Sequence, residues 1–283
     1  MHGGSLAAFR LGRPDAEPVL AIHGITSSSA SWVAVARALG DRAGLVAVDL
    51  RGRGDSRELP APYGLAAHAR DMLAVLDACA VERGVVVGHS LGAYIAVRLA
   101  AEHHDRVRAL VLVDGGLPIP GTEGADPQAL LDASIGPAVA RLKMRFASAD
   151  EYRDWWRAHP AIARSDVEDD DVVCYADHDL IGSPPELRSA VVEDAVRADA
   201  ADLFTVADYP ADLPVPATLL CAPRGFVDDP NPLHPLPLAK AWSAGAPELR
   251  DVVAVPEVNH YSIALGARGA GAVADAVAAA VAR

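Results

Sequence analysis

A serine flanked by glycines is the feature of this chain that most clearly indicates covalent chemistry. Residues 88–92 read Gly-His-Ser-Leu-Gly, after the apolar run 85–87 and before a helical pattern over residues 91–102. A G-x-S-x-G motif between a buried strand and a helix is typical of a nucleophile elbow, where glycines make room for a sharp, strained turn. An ordinary tight turn is the alternative. The motif predicts Ser90 as a nucleophile, and the Leu91 N–H as an oxyanion donor at a helix N-terminus.

The second oxyanion donor is expected beside the pair His23–Gly24, which follows the apolar run 18–22. Hydrolases that act through a tetrahedral intermediate need N–H donors aimed at the developing oxyanion. A loop at the end of a strand next to the elbow can supply one of them, and Ile25 is the candidate. His23 itself is expected to hydrogen-bond within its own loop.

The chain has 10 histidines, so residue type alone does not identify the catalytic base. The position of each histidine in the chain has to identify it. His260 falls in the loop between the last predicted strand, residues 251–255, and a closing helix predicted over residues 267–283. A histidine at that point can reach a serine on a central strand and act as its general base. His178 lies between two aspartates and is expected to be solvated.

The acid that orients the base has two candidate positions. Asp228 lies in the loop after the apolar run 217–221, and Asp114 directly follows the run 107–113. Sites of open parallel sheets are built at the carboxyl ends of the strands, so both loops qualify. The acid must hold the imidazole in one tautomer and stabilise the imidazolium. Asp229, the neighbour of Asp228, stays open as well.

Apolar runs that alternate with helical patterns surround these residues. Continuous apolar runs are typical of strands buried on both faces of a parallel sheet, and their alternation with helices indicates βαβ units. The runs cover residues 18–22, 44–48, 85–87 and 107–113, and the helical patterns among them cover 31–39, 65–80 and 91–102. The alternation resumes with strand patterns at 217–221 and 251–255. The predicted fold class is therefore α/β, with a doubly wound, mostly parallel sheet.

The alternation is interrupted after Asp114. Residues 117–213 carry no strong strand pattern and contain helical segments, one of which begins at a capping box over residues 148–151. The sequence thus predicts a core formed by residues 1–116 and 214–283, and a helical insertion formed by residues 117–213. The insertion has the size of a small domain.

The composition limits which binding partners and which cellular compartment are expected. The chain has 283 residues, is 51% hydrophobic and carries a formal net charge of −13, which disfavours binding to nucleic acid or to an anionic membrane. Its apolar runs are too short to span a bilayer. Three cysteines, Cys79, Cys174 and Cys221, are widely spaced and argue against a disulfide framework and against a zinc site. Residues 1–20 lack a signal-peptide pattern, so the expected location is the cytoplasm.

Four motifs together resemble the α/β-hydrolase superfamily. They are His23–Gly24, residues 49–56 (Asp-Leu-Arg-Gly-Arg-Gly-Asp-Ser), residues 88–92 and Asn259–His260. The resemblance covers nearly the whole chain apart from residues 117–213, which correspond to the helical cap of the family. It implies the α/β-hydrolase fold and the chain order nucleophile, acid, histidine. It also implies that Asp49 and Asp55 brace the loop after their strand and take no part in catalysis.

The resemblance also ranks the two acids. Most members of the superfamily carry the acid after the strand that precedes Asp228, whereas some hydrolases and the haloalkane dehalogenases carry it one strand earlier, as at Asp114. The loop before Asp228 begins Ala-Pro-Arg at residues 222–224 and is longer than the usual Gly-x-x-Asp turn of the family, which keeps Asp114 open. We expect Asp228 to be the acid, with Asp114 as the alternative.

Positions at which this sequence departs from the patterns of the family reduce the number of reactions it is expected to catalyse. Ser90 stands where dehalogenases and epoxide hydrolases carry a nucleophilic aspartate, which disfavours both reactions. Residues 24–27 (Gly-Ile-Thr-Ser) replace the glycine-rich loop typical of proline iminopeptidases and many carbon–carbon bond hydrolases. The expected activity is hydrolysis of a carboxylic ester, thioester or lactone through an acyl-enzyme, with no metal and no organic cofactor. A carbon–carbon bond hydrolase with the same triad and a non-catalytic ligand-binding protein on the same fold remain as alternatives.

The expected partner is a small-molecule acyl substrate. Trp155, Trp156 and Met144, with Phe146 near them in the sequence, either line an acyl pocket or form the core of the helical insertion. The insertion decides the substrate in this interpretation, and it carries no motif that names one.

Overall fold

The computed structural model describes residues 5–119, 126–204 and 213–283, and each strand segment predicted from the sequence coincides with or overlaps a strand. The strands are β1 (Ala8–Gly12), β2 (Pro18–Ile22), β3 (Gly44–Val48), β4 (Gly84–His89), β5 (Val107–Val113), β6 (Leu180–Ile181), β7 (Arg188–Ser189), β8 (Ala217–Cys221) and β9 (Leu249–Ala254). The sequence did not predict β1, an edge strand in which exposed and half-buried residues alternate.

Seven of these strands form one sheet in the order β1-β3-β2-β4-β5-β8-β9. β1 runs antiparallel to β3, and the other neighbours in this sheet are parallel. In β2, Val19 and Ala21 pack into one apolar cluster, whereas Leu20 and Ile22 pack into another. Because the side chains of a strand alternate between its faces, a run that is apolar at every position needs a cover on both. The predicted α/β fold class is confirmed.

Helices supply that cover. They are α1 (Val33–Leu39), α2 (Leu65–Ala78), α3 (Leu91–Glu102), α4 (Pro127–Leu142), α5 (Ala149–Ala158), α6 (Pro160–Ala163), α7 (Asp169–His178), α8 (Glu193–Phe204), α9 (Leu236–Ser243), α10 (Ser262–Leu265) and α11 (Ala267–Val281). α1 and α11 pack on one face of the sheet, and α2, α3 and α9 pack on the other. Within the described ranges, no helix is long and apolar enough to cross a bilayer.

Helices α4–α8 and the hairpin β6–β7 lie between β5 and β8 in the chain, and we call the described part of this segment, residues 126–204, the cap. The apolar cluster of the cap contains Tyr152, Trp156 and Tyr175 and extends to Leu265 of α10. The cap therefore packs against loops that follow the carboxyl ends of the strands, which is the edge where a site of a parallel sheet is built.

Candidate active site

Ser90 stands at the turn between β4 and α3, with backbone angles φ 51° and ψ −121°. A non-glycine residue held in this left-handed region is strained. Flanking glycines make the turn possible: a Cβ on Gly88 would lie 2.3 Å from the Gly92 carbonyl oxygen, and one on Gly92 would lie 2.0 Å from the Ile22 carbonyl oxygen. The Ser90 N–H donates to the Val113 carbonyl at 2.9 Å and ties the turn to β5. This is the strand–turn–helix arrangement that the motif predicts.

The candidate base is held by the carboxylate of Asp114. His260 Nδ1 lies 2.6 Å from Asp114 Oδ2, and both side chains are buried. The Ala222 N–H donates to Asp114 Oδ1 at 3.0 Å. Burial by itself would raise the pKa of Asp114, but the hydrogen bond and charge of His260, with smaller contributions from His234 and the Ala222 N–H, hold this pKa below its usual value. The ionised carboxylate thus orients the ring and leaves Nε2 without a hydrogen bond to any described residue.

This geometry corrects the preference for Asp228. Asp228 pairs with Arg224 instead, at 2.6 Å between Oδ1 and Nε, and 15% of its side chain is exposed. Asp229 accepts the Asn231 N–H at 2.9 Å and does not approach the base either. Arg224 accounts for the difference, because it neutralises Asp228 within their own loop.

His23 fixes the loop that carries the predicted oxyanion donor Ile25. Its ring donates from Nδ1 to the Gly24 carbonyl at 2.7 Å and accepts the Leu50 N–H at Nε2 at 3.0 Å. Burial lowers the pKa of His23 to about 4, so the ring is neutral at pH 7. Because the Gly24 carbonyl and the Ile25 N–H share one peptide plane, His23 also orients that N–H, which has no acceptor among the described residues. Leu91, the other predicted donor, is the first residue of α3, where an N–H has no acceptor within the helix.

Ser90 and His260 line one pocket between the core and the cap. Its walls come from the loop after β2 and from aromatic side chains of three separate elements. Prominent among the described lining residues are residues 24–27, Tyr175, Phe226 and Tyr261. Phe226 packs on the ring of His260, with 4.2 Å between the ring centroids, and so helps to fix the plane of the imidazole.

The tryptophans of the cap lie elsewhere than the pocket. Trp156 is 2% exposed and packs edge-on against Tyr152 and Tyr175 in the cap core. Trp155 stacks on Tyr152 and meets Trp156 edge-on, and Met144 is 38% exposed. Of the two interpretations of Trp155, Trp156 and Met144, lining of the pocket is corrected: the tryptophans belong to the core of the cap, as the alternative predicted, and Met144 lies at its surface.

His89 is a residue next to the site that the sequence analysis did not single out. Its Nε2–H donates to the His260 carbonyl at 2.8 Å, and the two rings lie 4.8 Å apart. Burial, followed by the charge of His260, lowers the pKa of His89 to about 3 and keeps its ring neutral. His89 therefore holds the backbone of the base in place. Its position directly before Ser90 in the elbow was the available signal.

The expectation of a solvated His178 is wrong. Its Nε2 lies 2.8 Å from Asp49 Oδ2, and 23% of its side chain is exposed. Asp49 also accepts the N–H groups of Ser29 and Asp55, at 2.7 and 2.9 Å. Asp49, Asp55 and His178 form the one group of three potential metal ligands found in the described ranges. Protein donors already bind both Asp49 oxygens, so this group braces the loop after β3.

Comparison with known proteins shows what this chain resembles. A family model described as alpha/beta hydrolase fold matches residues 17–150. A curated relative, the "Putative carbamate hydrolase RutD" of Caulobacter vibrioides, is 42% identical over 116 residues, which make up 41% of this chain and 40% of that protein. The match thus spans well under two thirds of that relative.

Solved structures match over nearly the whole chain. The crystal structure of E-2-(acetamidomethylene)succinate hydrolase superposes with a TM-score of 0.78 at 23% identity and covers 96% of this chain and 94% of that one. The thioesterase domain from the curacin biosynthetic pathway superposes with a TM-score of 0.72 at 19% identity, with coverage of 96% and 94%. At these identities the superpositions show a shared fold.

Proposed function

We propose that this chain, which has the α/β-hydrolase fold, is a serine hydrolase of carboxylic esters, thioesters or lactones. One observation carries the proposal: the buried contact of 2.6 Å between His260 Nδ1 and Asp114 Oδ2, on the wall of the pocket that Ser90 also lines. A carboxylate at one ring nitrogen leaves the other nitrogen as a base, and a base beside a serine is what activates its hydroxyl.

The first half of the reaction forms an ester on the enzyme. Ser90 Oγ attacks the carbonyl carbon of the substrate while His260 Nε2 accepts the hydroxyl proton. Asp114 keeps the Nδ1 proton of His260 in its hydrogen bond, and its charge stabilises the imidazolium that forms. The imidazolium then gives its proton to the leaving alcohol or thiol, and the acyl group stays on Ser90.

Two backbone N–H groups are assigned to the oxyanion of the tetrahedral intermediate. The Ile25 N–H comes from the loop after β2, and the Leu91 N–H comes from the first turn of α3, where the helix dipole favours negative charge. Both groups are held by backbone that cannot easily reorganise, and preorganised donors of this kind contribute most of the stabilisation in acyl transfer.

The second half of the reaction releases the acid. His260 Nε2 accepts a proton from a water molecule, whose oxygen attacks the acyl carbon, and the second tetrahedral intermediate collapses with return of the proton to Ser90 Oγ. The products are a carboxylic acid and the alcohol or thiol, and the enzyme returns to its starting state. His260 acts as base and as acid once in each half.

The probe experiment tests whether Ser90 is a nucleophile. A fluorophosphonate should label the wild-type chain and Ser243→Ala, a control on α9, but should leave Ser90→Ala unlabelled. The hydrolytic rate of folded Ser90→Ala should fall by at least about 10³, because a triad acts as a unit. Labelling of Ser90→Ala, or more than about a tenth of wild-type activity in it, would defeat the assignment.

A substrate panel separates the remaining alternatives. Nitrophenyl esters of increasing chain length, acyl thioesters and lactones test the proposed classes. Aryl carbamates are included because the curated relative carries that name, and a diketone tests cleavage of a carbon–carbon bond by the same triad. A wild-type chain that neither labels nor turns over any member of the panel favours the ligand-binding alternative.

A further inference from the structure

Three consecutive carbonyl groups of the loop after β2, those of Gly24, Ile25 and Thr26, are all held by buried side chains. His23 Nδ1 donates to the first at 2.7 Å. The other two accept from guanidinium groups, that of Arg53 and that of Arg141. We call residues 24–27 the oxyanion loop.

The guanidinium of Arg53 binds both the oxyanion loop and an acid of the cap. Its Nε and Nη2 donate to the Ile25 carbonyl at 3.0 and 2.8 Å. Its Nη1 lies 2.6 Å from a carboxylate oxygen of Asp199 in α8, and neither side chain is exposed. The other Asp199 oxygen lies 3.0 Å from His68 Nε2 and accepts the Gly64 N–H at 2.6 Å. Asp199 is thus a fixed anchor, and Arg53 connects it to the oxyanion loop.

Arg141 of α4 likewise binds both the oxyanion loop and an acid of the cap. Its Nη2 donates to the Thr26 carbonyl at 3.0 Å. Its Nη1 binds the carboxylate of Asp179, which directly follows α7, together with the hydroxyl groups of Tyr152 and Ser189. Only 1% of the Arg141 side chain and 5% of the Asp179 side chain are exposed.

Buried charges of this kind must be paired, because an isolated guanidinium in an apolar interior is strongly unfavourable. The acids that pair these arginines belong to the cap, while their remaining donors bind the oxyanion loop. A shift of either cap acid therefore moves a guanidinium, and the guanidinium moves the peptide planes that follow the Ile25 N–H. A donor to an oxyanion must be placed within about 0.5 Å to be effective.

We propose that Arg53 and Arg141 are positioning residues that couple the cap to the oxyanion loop through Asp199 and Asp179. The catalytic part of this proposal rests on the proposed function, because it assigns the Ile25 N–H to the oxyanion. The interaction with an oxyanion exists in the transition state and not in the bound substrate. Loss of the coupling should therefore lower kcat and leave KM nearly unchanged.

Arg141→Lys separates the two roles of one side chain. An ammonium group can still pair with Asp179, but a single point charge cannot also present a second, fixed donor to the Thr26 carbonyl. We expect kcat for a nitrophenyl ester to fall by about 10- to 100-fold with KM changed by less than about threefold. Arg53→Lys should act in the same way at the Ile25 carbonyl and serves as the second variant if Arg141→Lys does not fold.

Asp177→Asn is the matched control. Asp177 lies in the last turn of α7 and pairs with an arginine of the cap, Arg153 at 2.6 Å, but this pair is partly exposed, at 41% and 27%, and does not reach the loop. Its kcat should stay within about twofold of wild type, as expected for a surface ion pair. Asp179→Asn, by contrast, should lower kcat as Arg141→Lys does.

Hydrogen exchange of the backbone amides of residues 23–28 supplies a readout that needs no activity. Exchange in this segment should be at least about tenfold faster in Arg141→Lys than in wild type and in Asp177→Asn, with the core strands unchanged. Unchanged exchange in the segment for folded Arg141→Lys and folded Arg53→Lys overturns the coupling. Faster exchange with unchanged kcat overturns the catalytic part alone. A wild type without hydrolytic activity removes the proposed function, and the exchange comparison still decides whether the coupling exists.

Discussion

Two loops of the sheet each carry an aspartate after a strand, but the two aspartates bind different partners. Asp114 follows β5 and Asp228 lies in the loop after β8, the neighbouring strand, and both aspartates have a positive φ, 43° and 61°. Asp114 is fully buried and holds His260, whereas Asp228 is partly exposed and holds Arg224. The difference teaches that an acid in a suitably placed loop does not orient the base when a cation of its own loop binds it first.

The strand register explains which loop approaches the nucleophile. Val113 of β5 is paired with His89 of β4, so the next residues of the two strands, Asp114 and Ser90, are neighbours at the same edge of the sheet. β8 pairs with the far side of β5, and the Asp114 N–H donates to the Leu220 carbonyl at 2.8 Å. The loop after β8 also reaches the base, because its Phe226 packs on the His260 ring, but its Asp228 pairs with Arg224 instead.

Asp228 supports the base from a distance. Its Oδ1 lies 3.3 Å from Asn259 Nδ2, which also donates to the Ala161 carbonyl of the cap at 2.9 Å. Asn259 directly precedes His260, so this contact helps to hold the histidine loop against the cap. Asp228 thus braces the loop of the base, while Asp114 contacts the ring itself.

Asp114→Asn is the variant with the largest expected effect on this comparison. The amide keeps the size of the carboxylate but can donate to Nδ1, which favours the wrong tautomer of His260 and withdraws the charge that stabilises the imidazolium. We expect kcat to fall by about 10²–10⁴, by analogy with serine proteases, where the same change costs about 10⁴. Steady-state kinetics on the best ester of the panel, with a thermal melt to verify folding, measure it. A folded variant that loses less than about tenfold would exclude Asp114 as the orienting acid.

The elements that hold Ser90 and His260 were predictable because their signals are local. Each buried strand is a continuous apolar run, and residues 88–92 carry the complete motif of the nucleophile elbow. The capping box at residues 148–151 likewise begins α5, since the Ser148 hydroxyl accepts the Glu151 N–H at 3.1 Å. β1 was missed because an edge strand with one exposed face lacks the continuous apolar pattern of its neighbours.

The orienting acid could be narrowed to two positions but not chosen from the sequence. The choice depends on how two loops fold in space, and on whether Arg224 turns toward Asp228 or toward solvent. The tryptophans of the cap show the same limit. Trp156 and Tyr175 are both buried aromatic residues of the cap, yet only Tyr175 lines the pocket. The packing of helices, rather than the residue type, decides which aromatic ring meets the substrate.

The dependence of the free energy of unfolding on pH tests whether Asp114 is ionised and hydrogen-bonded in the folded protein. The folded pKa of Asp114 is lowered, so its contribution is present above the unfolded pKa of about 3.9 and is lost as the pH falls through the folded pKa. We expect Asp114→Asn to lower the free energy of unfolding by about 1.5–3 kcal/mol at neutral pH, the value of a hydrogen bond to a charged group. Urea unfolding at a series of pH values should show this difference shrinking below about pH 4. A difference that is the same at neutral and at strongly acidic pH would contradict the ionised, hydrogen-bonded carboxylate.

Asp228→Asn has the smallest expected effect and decides whether the comparison holds in the working enzyme. The pKa of Asp228 is also lowered, first of all by its hydrogen bond to Arg224, but the pair is partly exposed and contributes at most about 1 kcal/mol. The amide oxygen can still accept from Arg224 and Asn259. We therefore expect kcat to fall by no more than about tenfold, with KM nearly unchanged. Arg224→Gln, which removes the other half of the pair, is the matched control and should have an effect of the same size.

The opposite result would have a clear meaning. If the loop after β8 rearranged when substrate binds and brought Asp228 to His260, then Asp228→Asn would lose about 10²–10⁴ in kcat while Arg224→Gln would lose little, because Arg224 would no longer be the partner. The double variant of Asp114 and Asp228 supplies a second criterion. Two carboxylates that act separately, one on the ring and one on the loop, should give effects that add within about 0.5 kcal/mol. Strong non-additivity would show that both carboxylates act on the same imidazole, and the distinction between the two loops would then fail.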